Sequence, residues 1–281
     1  MKITNNYGLP EAVYNFISED RYNPGDSDYS VTTLLNPPQL VQLQRRHWNE
    51  LEEDAMSRVW SVFGTAVHNL FEDHTKEGTA EERLYVEIDG VKVGGQMDHV
   101  KDGVITDYKV TSVYKVMKDT PKEWIEQQNI YALLQAERGT PVHKLQICAI
   151  LRDWSRTKAL QDRSYPQAPI QIIQLPLWPL EETQHFLEER VALHLTNSLV
   201  KDEALLPCTE EEMWAQPTTY ALMKPEGKRA TKVCSSLEEA AANLSGDLTI
   251  VERPGKRTRC QDYCPVKNFC SQYKEYIGGK D

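Results

Sequence analysis

The polar and apolar positions along this chain change rhythm several times, and each change marks an element. Residues 1–29 are polar and loop-like, with a short helical stretch near Pro10 to Ile17. Order begins at Ser30-Val31-Thr32-Thr33-Leu34-Leu35, whose hydroxyls suit a helix N-cap, and Pro37-Pro38 breaks that helix. A helical, charge-rich pattern runs from about Gln39 to His74. Strand-type runs follow near 83–88, 91–100 and 104–110. A helix near 121–137 ends before Gly139, strands lie near 143–152 and 169–175, and a helix from about Leu180 to Leu199 closes the series.

This order predicts an α/β fold: a central mixed β-sheet flanked by helices. The expected domains are an N-terminal extension (1–29), a core (30–204) and a C-terminal module (205–281). That module contains a short helix, a hairpin over 220–233, a helix near 236–244 and a cysteine-rich segment. It has little core of its own, which suits a small module stapled by metal. There is no internal repeat and no low-complexity tract.

The most informative run is Gly94-Gly95-Gln96-Met97-Asp98-His99-Val100-Lys101-Asp102-Gly103-Val104-Ile105-Thr106-Asp107-Tyr108-Lys109. Asp102-Gly103 is a two-residue hairpin signal, because a type I′ turn needs positive φ at both positions. Lys101 then pairs with Val104, and Asp98 falls opposite Asp107. Opposed residues have Cβ atoms roughly 5 Å apart, where like charges destabilise a sheet. Alternation puts Lys109 on the same side as Asp107.

A divalent cation would relieve the repulsion. Mg²⁺ is held by one or two carboxylates together with substrate phosphates and water. Lys109 could orient or deprotonate the attacking water or stabilise charge on the phosphate, which is the chemistry of metal-assisted phosphodiester hydrolysis. The competing explanation is a solvated hairpin face with a cross-strand Asp–Lys pair.

Asp107-x-Lys109 after Gly95-x-x-Asp98 resembles the PD-(D/E)XK nuclease superfamily. Two further marks resemble its RecB-like branch: a helical histidine upstream (Phe63-Gly64-Thr65-Ala66-Val67-His68) and Gln127-x-x-x-Tyr131 on the following helix. Gln127 and Tyr131 are i,i+4 and share a helix face. The motifs span roughly residues 30 to 180.

The resemblance implies a restriction-endonuclease-like core and a Mg²⁺- or Mn²⁺-dependent deoxyribonuclease. Asp98, Asp107 and His68 would be metal ligands, Lys109 the catalytic lysine, and Gln127 and Tyr131 would position DNA or support the site. The second acid is Asp107 rather than Glu, which the superfamily formula allows. Glu87 is a further candidate carboxylate, more simply read as an exposed strand residue. Relatives act on single-stranded or end-containing DNA, often as exonucleases. They serve recombination, repair or CRISPR adaptation, so the resemblance also points to a protein partner in recombination or CRISPR adaptation. Tyr131, Trp124 and Trp154 are candidates for stacking on unpaired bases or for burial in the core.

Six cysteines are present, three of them in Cys260-x3-Cys264-Pro265-x4-Cys270. In an intracellular protein such a group reads as metal binding before disulfides, and both zinc and iron–sulfur clusters commonly take four thiolates. The three resemble the cysteines after the core in AddB-type and CRISPR-associated exonucleases, which implies a [4Fe–4S] cluster, with Zn²⁺ as the alternative. In those relatives the fourth cysteine precedes the core. Here none precedes Cys148. Cys208 is the expected fourth ligand, since it stands at the capping box Thr209-Glu210-Glu211-Glu212. Cys234 is its rival, and Cys148 reads as a small core residue.

Composition adds limits. With 281 residues, 40% hydrophobic and 26% charged, the chain is an ordinary globular protein. No apolar run approaches the ~20 residues of a membrane span, and Met1–Asn6 lacks a signal-peptide core, so a cytoplasmic location is the default. A net charge of −10 argues against indiscriminate coating of DNA. Basic residues gather locally at Lys109, Lys115, Lys118 and Lys122, at Lys224, Lys228, Arg229 and Lys232, and between Arg253 and Lys274. A non-catalytic nucleic-acid-binding module is the main alternative function. A zinc-stapled scaffold would leave the opposed aspartates unexplained.

Overall fold

Period-two burial is strictest in Lys144–Leu151, where Leu145, Ile147, Ala149 and Leu151 are buried and the residues between them are half-buried. Such a strand lies inside a sheet with one face on a core. In the computed structural model of the chain, which describes residues 1–19 and 25–278, it is an inner strand of a six-stranded mixed sheet.

The described residues divide into two units, 1–36 with 52–199 and 37–51 with 200–281. The first contains β1 (Tyr29–Ser30), α1 (Ala55–His74), β2 (Thr79–Ile88), β3 (Val91–Lys101), β4 (Val104–Thr111), α2 (Lys122–Glu137), β5 (Lys144–Leu151), β6 (Ile170–Leu175) and α3 (Leu180–Ser198). β2, β3 and β4 form an antiparallel meander, β5 runs parallel to β4, and β6 returns antiparallel to β5. Asp102 (φ 48) and Gly103 (φ 71) both occupy the left-handed region at the β3–β4 turn, as a type I′ hairpin requires.

One lapse in this sheet shapes the site. Val93 and Gly94 of β3 pair with β2 on one edge and with β1 on the other. His99 to Lys101 pair with β4, and His99 and Val100 also pair with β2. β1 and β4 therefore share one edge of β3, and residues 95–98 have no strand partner there among the described residues. The ladder stops one pair short of the expected Asp98–Asp107 pair, and the two strands separate beyond it.

Helix α2 contacts β2, β3 and β4 and also α3, so residues 128–135 are buried around the whole helix. Its polar residues are satisfied locally. Asn129 donates to the Ile125 and Pro176 carbonyls and accepts from the Trp178 amide. Close approach of α2 depends on Gly95, where an added Cβ would lie 2.6 Å from Leu134 Cδ1 and 2.8 Å from Tyr131 Cε1. Gly95→Ala is expected to lower stability by about 1–3 kcal/mol through overpacking. Thermal unfolding checks this, and an unchanged melting temperature would mean α2 is not seated on Gly95.

The helical pattern over 39–74 is not one helix. Pro38–Arg46 is helical, Trp48–Glu50 forms a 3₁₀ turn and Glu52–Asp54 a short strand, before Asp54 caps α1 by accepting from the Met56 amide at 3.0 Å. Glu52–Asp54 pairs in parallel with Lys2–Thr4, so the start of the expected extension is part of the first unit. Glu11–Ser18 is helical, and residues 20–24 of that extension lie outside the described residues.

Residues 37–51, read from sequence as part of the core, group with the C-terminal unit. Gln39 hydrogen-bonds cysteine thiols there, and Arg46 and His47 both bind the Asp202 carboxylate at 2.7 Å. His47 also stacks on Phe269. Thr219–Met223 is flanked by Ala230–Cys234 and Thr249–Arg253 in an antiparallel sheet. Its small core joins Leu222, Cys234 and Ala240 with Tyr220, Leu248 and Ile250. The Thr209–Glu212 capping box forms reciprocally, yet the helix expected after it is a single turn, ended where Trp214 turns left-handed at φ 51. No helix among the described residues is long and apolar enough to cross a membrane.

Candidate active site

Asp98 and Asp107 reach the point where β3 and β4 part. Asp98 Oδ2 accepts the Tyr108 amide at 2.7 Å, taking the place of a ladder partner. On the other edge of β3, the register with β2 sets Glu81 opposite Asp98, between the Ala80–His99 and Glu82–Met97 pairs. Glu81 holds a left-handed φ of 52 inside a strand, a costly conformation for a non-glycine residue that tends to occur at functional sites. Three acids thus occupy successive positions across β2, β3 and β4.

His68 of α1 completes the group. Its Nε2 is 2.7 Å from the Tyr108 carbonyl, and that oxygen can only accept, so Nε2 carries the proton. Nδ1 then presents a lone pair to Asp98 Oδ1 at 3.5 Å and Glu81 Oε1 at 4.0 Å. Burial, the largest influence, pushes the His68 pKa down, so these contacts are not ion pairs. Ligand atoms of His68, Glu81 and Asp98 all lie within 4.8 Å of one another, close enough to hold a metal ion.

The electrostatics point the same way. The Asp98 carboxyl is pushed up to about 8, first by burial and then by the Asp107 charge. Glu81 is also raised, by burial and then by Glu72. Ionising these carboxyls side by side in a half-buried site is unfavourable. A divalent cation would compensate their charges. The residues present therefore fit a hard divalent metal.

Asp107 is placed differently. It is buried, accepts from Gln128 Nε2 at 3.0 Å, and lies against the Lys109 ammonium, 3.0 Å from Oδ1 and 2.8 Å from Oδ2. Oδ2 still receives no well-directed hydrogen bond. Lys109 also donates to Gln127 Oε1 at 3.2 Å. Burial would lower the Lys109 pKa, but the Asp107 charge and hydrogen bond hold it above the ordinary value, so the amine stays charged. Gln127 Nε2 donates to the Tyr131 hydroxyl at 2.9 Å. The pocket around these groups is also lined by Thr32, Arg83 and Gln96.

Two neighbours were missed in the sequence. Glu81 is not singled out by the sequence pattern, and Glu87, the strand carboxylate weighed there and read more simply as exposed, is exposed on the far half of β2. A second Asp-Gly turn, Asp89 (φ 49) and Gly90 (φ 75), pairs Ile88 with Val91, and counting back from it reaches Glu81 opposite Asp98. Gln128 was hidden beside Gln127, because a helix buried all round gives no facing direction. Tyr131 and Trp124 are 4% and 6% exposed, too buried for the base stacking considered for them. The Trp154 indole is half-buried and tied to the Pro166 carbonyl.

The family model of the PD-(D/E)XK nuclease superfamily matches residues 32–271. The chain belongs to this superfamily. Its α/β core with a mixed sheet flanked by helices is the restriction-endonuclease-like fold of that group, and membership implies a metal-dependent nuclease acting on nucleic acid. Among solved structures, the protein SSO0001 is similar at 18% identity and a TM-score of 0.41, over 64% of this chain and 82% of its own. A Eubacterium rectale protein provisionally designated an exonuclease is similar at 16% identity and a TM-score of 0.33, over 65% of this chain and 66% of its own. No curated protein matches the chain.

All six cysteines of this nuclease are free thiols. Within the second unit, Cys208, Cys260, Cys264 and Cys270 line one cavity with Gln39 and Gln272. Gln39 Oε1 accepts from the thiols of Cys208 at 3.4 Å and Cys270 at 3.7 Å. Gln272 clamps the Cys208 backbone through both its amide and its carbonyl. No three cysteine sulfurs among the described residues lie within 4.8 Å of one another, so they form no tight cluster. Burial raises the Cys208, Cys260 and Cys264 thiols. Cys234 is buried in the separate small core with Leu222 and Ala240.

Proposed function

We propose that this chain is a deoxyribonuclease of the RecB-like kind, which hydrolyses phosphodiester bonds in single-stranded or end-containing DNA with Mg²⁺ or Mn²⁺. The observation that carries this reading is the row Glu81, Asp98 and Asp107 across three strands, with the unprotonated Nδ1 of His68 aimed at it. His68, Glu81 and Asp98 would hold the ion, and Asp107 would join them as the acid nearest Lys109. A bound divalent ion supplies Lewis acidity and a more acidic water.

The remaining work falls to side chains. Lys109 is anchored by Asp107 and Gln127 and stays an ammonium, so its part is to orient the attacking water and offset charge growing on the phosphate. Gln128 and Tyr131 act through others, Gln128 by fixing Asp107 and Tyr131 by fixing Gln127. Arg83 lines the same pocket and would attract the phosphate backbone.

The reading extends to a [4Fe–4S] cluster on Cys208, Cys260, Cys264 and Cys270. It is supported by the common cavity of these four and by Cys234's location in a separate core. A single zinc ion would need thiolates about 3.8 Å apart, from Zn–S bonds of about 2.3 Å in a tetrahedron. Zn²⁺ on the same four thiolates is the alternative occupant.

Lys109→Ala tests the catalytic assignment. Cleavage is expected to fall at least ~10²-fold, while affinity for DNA changes only a few-fold. Substantial cleavage by a highly pure variant would remove Lys109 from the mechanism.

A further inference from the structure

Past Lys109, β4 ends at Thr111, and the chain presents two exposed aromatic rings, each capped by a cation. On one side, Arg152 lies over the Trp60 ring, 4.2 Å from its centroid, and Phe63 meets Trp60 edge-on. On the other, the Lys118 ammonium lies 4.6 Å from the centroid of Tyr114. Trp60 is 54% and Tyr114 64% exposed, which is unusual for residues whose rings normally drive burial.

Both pairs are fixed to the strand that carries Asp107 and Lys109. The Arg152 amide donates to the Thr111 carbonyl at 3.0 Å, and Asp153 Oδ1 accepts the Val113 amide at 2.7 Å. Trp60 lies on α1 eight residues before His68, about 12 Å along the helix. The short helix Arg156–Gln161 that follows exposes Arg156 and Lys158, and Asp153, the acid next to Arg152, is occupied by the Val113 amide.

We infer that Trp60 with Arg152 and Tyr114 with Lys118 form a stacking track for unpaired bases leading away from the active site. This makes single-stranded nucleic acid the preferred substrate of the proposed nuclease, on which the inference rests. Flat rings accept any base face, and the cations hold the phosphates between stacked bases. A continuous duplex keeps its bases stacked on one another and cannot use the rings. Met56, Trp60, Phe63, Val67 and Leu70 also follow the 4-3-4-3 spacing of a helix-docking seam. The guanidinium on Trp60 and the exposed Arg156 and Lys158 that follow it in the chain fit a polyanion better than a dry helix interface.

The test is fluorescence anisotropy with a labelled oligothymidylate of about 15 nucleotides and a duplex of equal length, in EDTA so that nothing is cut. Trp60→Ala and Tyr114→Ala are each expected to weaken single-strand binding about tenfold and duplex binding less than twofold, and Trp60→Phe to retain most of the affinity. Because both rings are exposed, the melting temperatures should not change. Single-strand affinities of both alanine variants within twofold of the unaltered protein would overturn the track. So would a Trp60→Ala protein that keeps its affinity but changes from dimer to monomer in sedimentation, since the face would then be a protein interface. If the unaltered protein bound neither oligonucleotide, the nuclease reading would fail first and take the track with it.

Discussion

Asp98→Asn is expected to raise the melting temperature of the metal-free protein at pH 8 while removing its affinity for divalent metal. The gain follows from the site's own repulsion. In the folded chain the Asp98 carboxyl titrates at about 8, because burial and the neighbouring Asp107 penalise its charge. Unfolded, it titrates near 4. The folded state thus binds the extra proton between these values, and stability falls as pH rises through that window. Below pH 4 the penalty is absent; by pH 8 it is largely in force. Asparagine abolishes the charge, and its Oδ1 can still accept the Tyr108 amide that Asp98 accepts now.

The gap in melting temperature between the two proteins in EDTA should therefore widen from pH 5 to pH 8. Adding Mn²⁺ should stabilise the unaltered protein and leave the variant unmoved, because only the folded site binds the ion. Equal melting temperatures at both pH values would mean that Asp98 carries no such penalty. A variant stabilised by Mn²⁺ as strongly as the unaltered protein would exclude Asp98 as a ligand.

The second large effect is expected from the cysteines. Cys264→Ser should lose most of the iron bound after anaerobic purification and lower the melting temperature, since binding energy at such a site is folding energy. Cys208→Ser should behave alike. Cys234→Ser should also be destabilised, by a hydroxyl placed against Leu222 and Ala240, yet keep its iron. Stoichiometric zinc without iron after controlled reconstitution would contradict the cluster, and intact metal with an unchanged melting temperature in Cys264→Ser would remove that residue from the ligand set.

Much of the core was legible because its signals are local. Asp102-Gly103 dictates a turn, the turn dictates a register, and the register brings Asp98 and Asp107 to one place. The pairing lapse at that place was not legible, since it depends on a carboxylate competing for a backbone amide. Glu81 needed two turns counted in series and a left-handed residue inside a strand, which no propensity favours. The grouping of residues 37–51 with the C-terminal unit depends on contacts over more than 150 residues of chain, such as Arg46 with Asp202, and no local pattern announces those. Helix α2 hid Gln128 for a different reason: buried on every side, it has no polar face to separate site residues from core.

The measurement closest to the centre of this account is cleavage of end-labelled single-stranded DNA in Mn²⁺ or Mg²⁺, with the Asp98→Asn protein purified in parallel. The unaltered protein is expected to cut, to stop in EDTA, and to lose at least ~10³-fold of its rate in the variant, the several kcal/mol that a metal ion contributes to such a transition state. Equal cutting by both proteins would contradict an active site built on Glu81, Asp98 and Asp107.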